Sequence, residues 1–127
     1  MGEQSPQAVM ARYAGQINAH RFELVAPLID PDAVFWFGDG SHRGIDAIER
    51  AFVATWTQLR DETYWFEDLA WLAADEASAS CLYRFCWTAT VDGVARSGVG
   101  RGTTVLVRRP HGWLIVHEHL SATPAQT

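Results

Sequence analysis

The chain contains no lysine: all ten basic residues are arginine, set against fifteen Asp and Glu, for a net charge of −5. That sign argues against a nucleic-acid binder, which needs a basic surface to meet phosphate. The arginines are also scattered, and the adjacent Arg108 and Arg109 precede "PHG", which reads as a solvated turn. Only two cysteines occur, Cys81 and Cys86. Five positions apart in an extended run, they point to opposite faces of a strand, so a local disulfide is excluded and a reducing compartment expected. No apolar stretch is long enough to span a bilayer, and no signal peptide is recognisable at the start. "MGEQSP" imitates a myristoylation start but has Pro6 where Ser or Thr is required. The expectation is a soluble, cytoplasmic protein without membrane contact.

Aromatic residues, by contrast, are abundant, with six Trp and six Phe among 127 residues. The length fits a single domain, 1–127, large enough to hide most of its surface without staples. The aromatic load suits a lined cavity or a subunit interface as well as a core.

Periodicity divides the chain into two halves. "SPQAVMARYAGQINAHR" (5–21) predicts a helix capped by Ser5 with Pro6 in its first turn. A shorter helix, "RFELVAPLI", ends at "DPD". "AVFWF" (33–37) is a short strand leading into "GDGSHRG", a turn-rich loop with a small hairpin. A third helix starts at Asp46, carrying the apolar stripe Ile45, Ile48, Phe52, Trp56, Leu59. Four strands follow, 63–74, 77–91, 94–109 and 113–122, separated by "DE", "DG" and "PHG" turns. Helices first and an antiparallel meander afterwards define an α+β fold. In 77–91 the odd positions Cys81, Tyr83, Phe85 and Trp87 form a bulky apolar face. The even face is smaller and mixed, and its Arg84 is expected to be buried. Few residues on either face look solvated, so helices should cover one side of the sheet and a second subunit the other.

Two stretches carry a family resemblance that covers nearly the whole chain. "DPDAVFWFGDGSHRGIDAIERAF" resembles the strand, glycine-bearing loop and third helix of SnoaL-like proteins of the NTF2-like superfamily. "GWLIVHEHLS" is similar to that family's closing W-x-I-x-H-x-H-x-S strand. The resemblance implies a cone: helices curled against a strongly curved antiparallel sheet that encloses a pocket, and a homodimer through the outer face of the sheet. It does not imply one activity, because the superfamily holds isomerases, cyclases, dehydratases, epoxide hydrolases and non-catalytic modules.

"IVHEHLSA" raises the sharpest site question. Strict alternation puts Trp113, Ile115, His117, His119 and Ser121 on one face and Leu114, Val116, Glu118 and Leu120 on the other. Two histidines fall short of the three or four protein ligands a zinc site needs, and His20, His42 and His111 supply no evident third; no metal is expected. If the histidines face outward, Glu118 faces the pocket, and an apolar surround would make it a general acid or base. The competing reading pairs Glu118 with Arg84 or Arg101. In the opposite register His119 would touch the ligand instead. Tyr13, in "MARYAGQI", is similar to the oxyanion-binding Tyr of ketosteroid isomerase, yet Phe37 stands where that enzyme has its base, with Asp39 two residues on in the loop. Arg84 and the walls Trp36 and Trp56 fit a bound carboxylate. The pocket arginines of the calcium/calmodulin-dependent kinase association domain, of similar fold, correspond here to Cys86, Thr104 and Leu120. "SGVGRGTT" has the spacing of a phosphate loop but runs into a strand, so its glycines serve curvature or close approach instead.

The resulting expectation is a small-molecule pocket protein acting without a cofactor. As an isomerase, cyclase or lyase it would use Glu118 or Asp39 as base, with Tyr13 or Arg84 steadying the oxyanion. As a non-catalytic binding or oligomerisation module it would use Arg84, Trp36, Trp56 and His119 to hold a ligand. An unpaired pocket carboxylate favours the first and an Arg-paired Glu118 the second.

Overall fold

The computed structural model describes residues 2–124. Ser5 caps the first helix, its hydroxyl accepting the Ala8 N–H at 3.1 Å, and α1 runs Pro6–Gln16. It is shorter than its periodicity predicts: the chain tightens into a 3-10 turn at Ile17–Ala19 and stops at His20, which takes a left-handed conformation (φ 55°). A single-turn α2 (Phe22–Val25) and a 3-10 turn (Ala26–Leu28) follow.

The first strand begins before the expected 33: β1 covers Ile29–Phe37 and includes the whole "DPD". Asp30 accounts for this early start. It is buried, accepts the Asp32 N–H at 2.9 Å, and is paired with Arg109 Nε at 2.8 Å. The hairpin closes with β2 (Gly40–Arg43), and α3 runs Ile45–Gln58 with Ile48, Phe52 and Trp56 inward. The meander is as expected: β3 (Thr63–Ala74), β4 (Ser78–Val91), β5 (Val94–Arg109) and β6 (Gly112–Ala122).

The six strands form one curved, unclosed sheet in the order β2-β1-β6-β5-β4-β3, with β1 and β6 parallel and every other pair antiparallel. The helices pack on the concave face, where Val9, Tyr13, Phe35, Ile48, Leu106 and Ile115 are fully buried. Both cysteines are free and buried, Cys81 on this inner face and Cys86 on the outer one.

Glycines in β5 shape the inner face. Gly98, Gly100 and Gly102 pair with Trp87, Phe85 and Tyr83 of β4, and a Cβ at any of them would collide with the partner's ring. Those three bulky side chains therefore lie down across β5 instead of standing off the sheet. Close approach by a ring, not by a phosphate, is the use of this motif.

The outer face is uncovered in the single chain. Leu82 (41% exposed), Val99 (55%) and Trp36 (45%) lie on it. No helix among the described residues is long and apolar enough to cross a membrane.

Candidate functional site

Strict alternation fails in β6, and the failure builds the site. Ile115 pairs with Leu106 and His117 with Val105, so Val116 is an extra residue, a β-bulge. The bulge switches the parity of the strand. Trp113 and Ile115 point inward before it, and Glu118 and Leu120 point inward after it. The expected partition is thus corrected: Trp113 and Ile115 share the face of Glu118, not that of the histidines. His117 lies on the outer side, its Nδ1–H donating to the Val34 carbonyl at 2.6 Å, while Trp36 sits edge-on to both His117 and His119.

Glu118 stands at the floor of a cavity of about 360 Å³ between the helices and the sheet. The rim is made by the exposed Gly38, Asp39 and Thr55. The walls are aromatic: Phe37, Phe52, Trp56, Phe85 and Trp87 all face the space. Such a surface binds a flat apolar body, and the polar groups at the floor orient it.

Glu118 itself is only 1% exposed. Tyr13 Oη donates to Oε2 and Tyr83 Oη donates to Oε1, each at 3.3 Å. Tyr83 is in turn 2.8 Å from Thr104 Oγ1; with the phenol proton directed at Glu118, Thr104 donates to Tyr83. Both bonds to Glu118 exceed the usual O–H···O range of about 2.5–3.0 Å, so they solvate the charge weakly. Burial consequently pushes Glu118 up to about 7, with the two tyrosines pulling it only part of the way back. None of the ion pairs among the described residues involves Glu118. The expected alternative, a Glu118–Arg84 or Glu118–Arg101 pair, does not form.

Three residues expected to hold a ligand lie elsewhere. Arg84 is on the outer face with its side chain 51% exposed, and it is ion-paired with Glu67 across β3 and β4. Trp36 and His119 lie on the outer side as well. The inner face of β4 takes the odd positions, and Arg84 is even. Tyr13 and Trp56 do line the cavity, and Asp39 stands at its rim with its carboxylate 2.9 Å from His42 Nε2. Among the described residues no three His, Cys, Asp or Glu side chains gather closely enough to hold a metal ion.

The sequence does not single out Tyr83, which bonds Glu118 from beneath the cavity, or the wall residues Tyr64 and Glu62. Tyr83 was visible by parity, since it shares the inward face of Phe85 and Trp87. Tyr64 stacks on Phe85 (6.0 Å, 14°), and its hydroxyl makes no hydrogen bond among the described residues. Burial first, and then the charges of Glu118 and Glu62, hold that phenol well above its usual range. Glu62, in the turn after α3, also faces the cavity; "RDET" gives no sign of it.

Helices packed on the concave face of a curved six-stranded sheet, with the buried Glu118 between them, define an α+β fold of the NTF2-like kind. The profile of the SnoaL-like domain matches residues 7–126, and the chain belongs to that family. Its fold is similar to an NTF2-like superfamily protein from Salmonella enterica serovar Typhimurium (TM-score 0.82, 24% identity, 94% of this chain and 89% of that one). It is similar too to a protein provisionally described as a dehydratase of the NTF2-like family from Streptomyces avermitilis (TM-score 0.81, 14% identity, 94% of each chain). A protein with a cystatin-like fold from Caulobacter vibrioides is comparable (TM-score 0.79, 22% identity, 93% and 87%). No curated protein matches the sequence.

Proposed function

We propose that this protein is a cofactor-independent enzyme of the isomerase, cyclase or lyase class, moving protons on a small, mainly apolar carbonyl compound. The observation that carries the reading is Glu118: a carboxyl group at the floor of an aromatic cavity, with two phenols as partners and no cation. A paired carboxylate would be fixed in its charged form; burial instead holds this one up at about 7, close to the pH at which a general base works best. The Glu118 carboxylate removes a proton from the carbon next to the carbonyl. The unpartnered Tyr64 hydroxyl donates to the carbonyl oxygen as it becomes an enolate, a task for which Tyr13, already engaged with Glu118, is less free. Asp39, exposed and engaged with His42, stands at the rim and takes no part in this proton transfer.

The test uses benzylacetone, whose phenyl ring and ketone match the walls and floor, in deuterium oxide. The protein should speed exchange of the protons beside the carbonyl, and Glu118→Gln should return the rate to that of buffer. Equal exchange by the two proteins, or none by either, would remove Glu118 as base and leave a binding module.

We also propose that the outer face pairs with a second copy of the chain. Leu82, Val99 and Trp36 are exposed apolar side chains on that face, the kind of surface a second copy would cover.

A further inference from the structure

The cavity wall carries a second carboxyl group that the reading above does not use. Glu62 follows α3 in the turn to β3, and its main chain is held on both sides. Its N–H donates to the Leu59 carbonyl at 3.0 Å, and its own carbonyl accepts from His20 Nε2 at 3.0 Å. His20 is fixed in turn by stacking on Trp56 (5.2 Å, 10°) and by its left-handed backbone. A half-buried side chain is thus presented to the cavity from an anchored turn.

That side chain has no hydrogen bond and no ion pair among the described residues. The neighbouring charges are committed or absent: Asp61 accepts the Thr90 N–H at 2.8 Å, and Arg60 forms no ion pair with Glu62. A turn carboxylate usually faces water. Glu62 instead shares an aromatic cavity with Glu118, one on the wall and the other on the floor, with Tyr64 within the field of both. Burial pushes Glu62 up to about 7, the same range as Glu118.

An isomerase that takes a proton from one carbon and returns it to another needs only one such group. Two carboxyl groups in one pocket, one ionised while the other is protonated, serve a reaction in which a proton leaves carbon and a different proton is delivered to oxygen. We propose that Glu62 is a second proton-transfer residue, the general acid of a water elimination whose substrate is a β-hydroxycarbonyl compound with an apolar body. This rests on the assignment of Glu118 as base. The step balances without a co-reactant. Glu118 takes the proton from the carbon beside the carbonyl, and the C–H electron pair becomes the new C=C bond. The C–O bond breaks with its electrons going to the hydroxyl oxygen, which takes the proton of Glu62 and leaves as water. Glu118 ends protonated and Glu62 ionised, and exchange with solvent through the rim restores the pair.

The experiment uses the β-hydroxyketone formed from benzaldehyde and acetone, which loses water to give benzalacetone. Elimination is followed by the absorbance of the conjugated product. Exchange beside the carbonyl is followed in deuterium oxide by NMR on the same sample. The protein should catalyse both, and Glu62→Gln should lower the ratio of elimination to exchange by roughly a hundredfold, the usual contribution of a positioned general acid. An unchanged ratio in that variant overturns the assignment of Glu62. So does a wild-type protein that catalyses exchange but no elimination, a result that leaves Glu118 as base. If the protein catalyses neither, both assignments fall.

Discussion

Tyr83 and Glu118 meet across a strand to which neither belongs. Tyr83 is on β4 and Glu118 on β6, yet their oxygens are 3.3 Å apart because β5 between them offers Gly102. Neighbouring strands are about 4.8 Å apart, so two steps exceed what an upright phenol could cover. The Tyr83 ring lies flat over the missing side chain and reaches the carboxyl group. The arrangement of the acid thus depends on a glycine that has no side chain to contribute to it.

Gly102→Ala should therefore displace Tyr83 and cost about 1–3 kcal/mol, as overpacking does. Gly15→Ala is the matched control: it lies on the exposed side of α1 with nothing near its Cβ position, and should be neutral or stabilising by up to ~1 kcal/mol. Thermal denaturation of the two variants checks the contrast, which vanishes if the β5 glycines have no packing role.

Glu118 should make the protein less stable as pH rises toward neutrality. Its carboxyl goes from 4.5 when unfolded to about 7 when folded, so the native state binds the extra proton. The stabilisation is complete below about pH 4.5 and lost as pH passes about 7, a change on the order of 3 kcal/mol. Glu62 acts in the same direction. Urea denaturation at several pH values should show this decline, and Glu118→Gln should flatten most of it. A parallel decline in wild type and variant would contradict the buried acid.

Asp30 should act in the opposite sense. Burial alone would raise it, but the Asp32 N–H and Arg109 together outweigh burial and hold it below its usual 3.8. Its stabilisation is present above that value and lost as the pH falls through the lowered one. With Glu118, this places maximal stability in mildly acidic solution. Asp30→Asn should remove the acid-side loss and lower stability at pH 5 by about 1–3 kcal/mol, measurable in the same urea series.

The outer face predicts the oligomeric state. Sedimentation of the wild-type protein should give a dimer, and Val99→Asp should shift it to monomer with unchanged far-ultraviolet circular dichroism. A monomeric wild type would end the proposed pairing.

Much of this architecture was legible in the sequence because its alternation is clean. In β4 the sequence Cys81, Tyr83, Phe85, Trp87 marks the inner face correctly, and the four strands of the meander lie close to where their turns put them. Arg84 misled because an arginine amid apolar neighbours looked buried; its partner Glu67 lies across a strand pair, a relation that one-dimensional parity does not display. The sidedness of β6 was only half legible. "IVHEHL" has no glycine or proline to mark a bulge, and Val116 looks like any other strand residue. Glu62 was hidden for a different reason. It lies in the turn between α3 and β3 and faces the cavity through contacts distant in sequence, such as His20, which no local pattern records.

The bulge at Val116 also bears on how this chain is compared with its relatives. Any related strand without the extra residue, aligned with no gap, would match Glu118 to a residue on the convex side. Roles copied across such an alignment would move from the cavity to the surface, or the reverse, with no sign of error in the score. A deletion of one residue there would turn the acid out of its pocket while leaving the topology intact. Sidedness in this strand is therefore a heritable variable distinct from the fold, and a lineage could gain or lose the buried acid by a single codon.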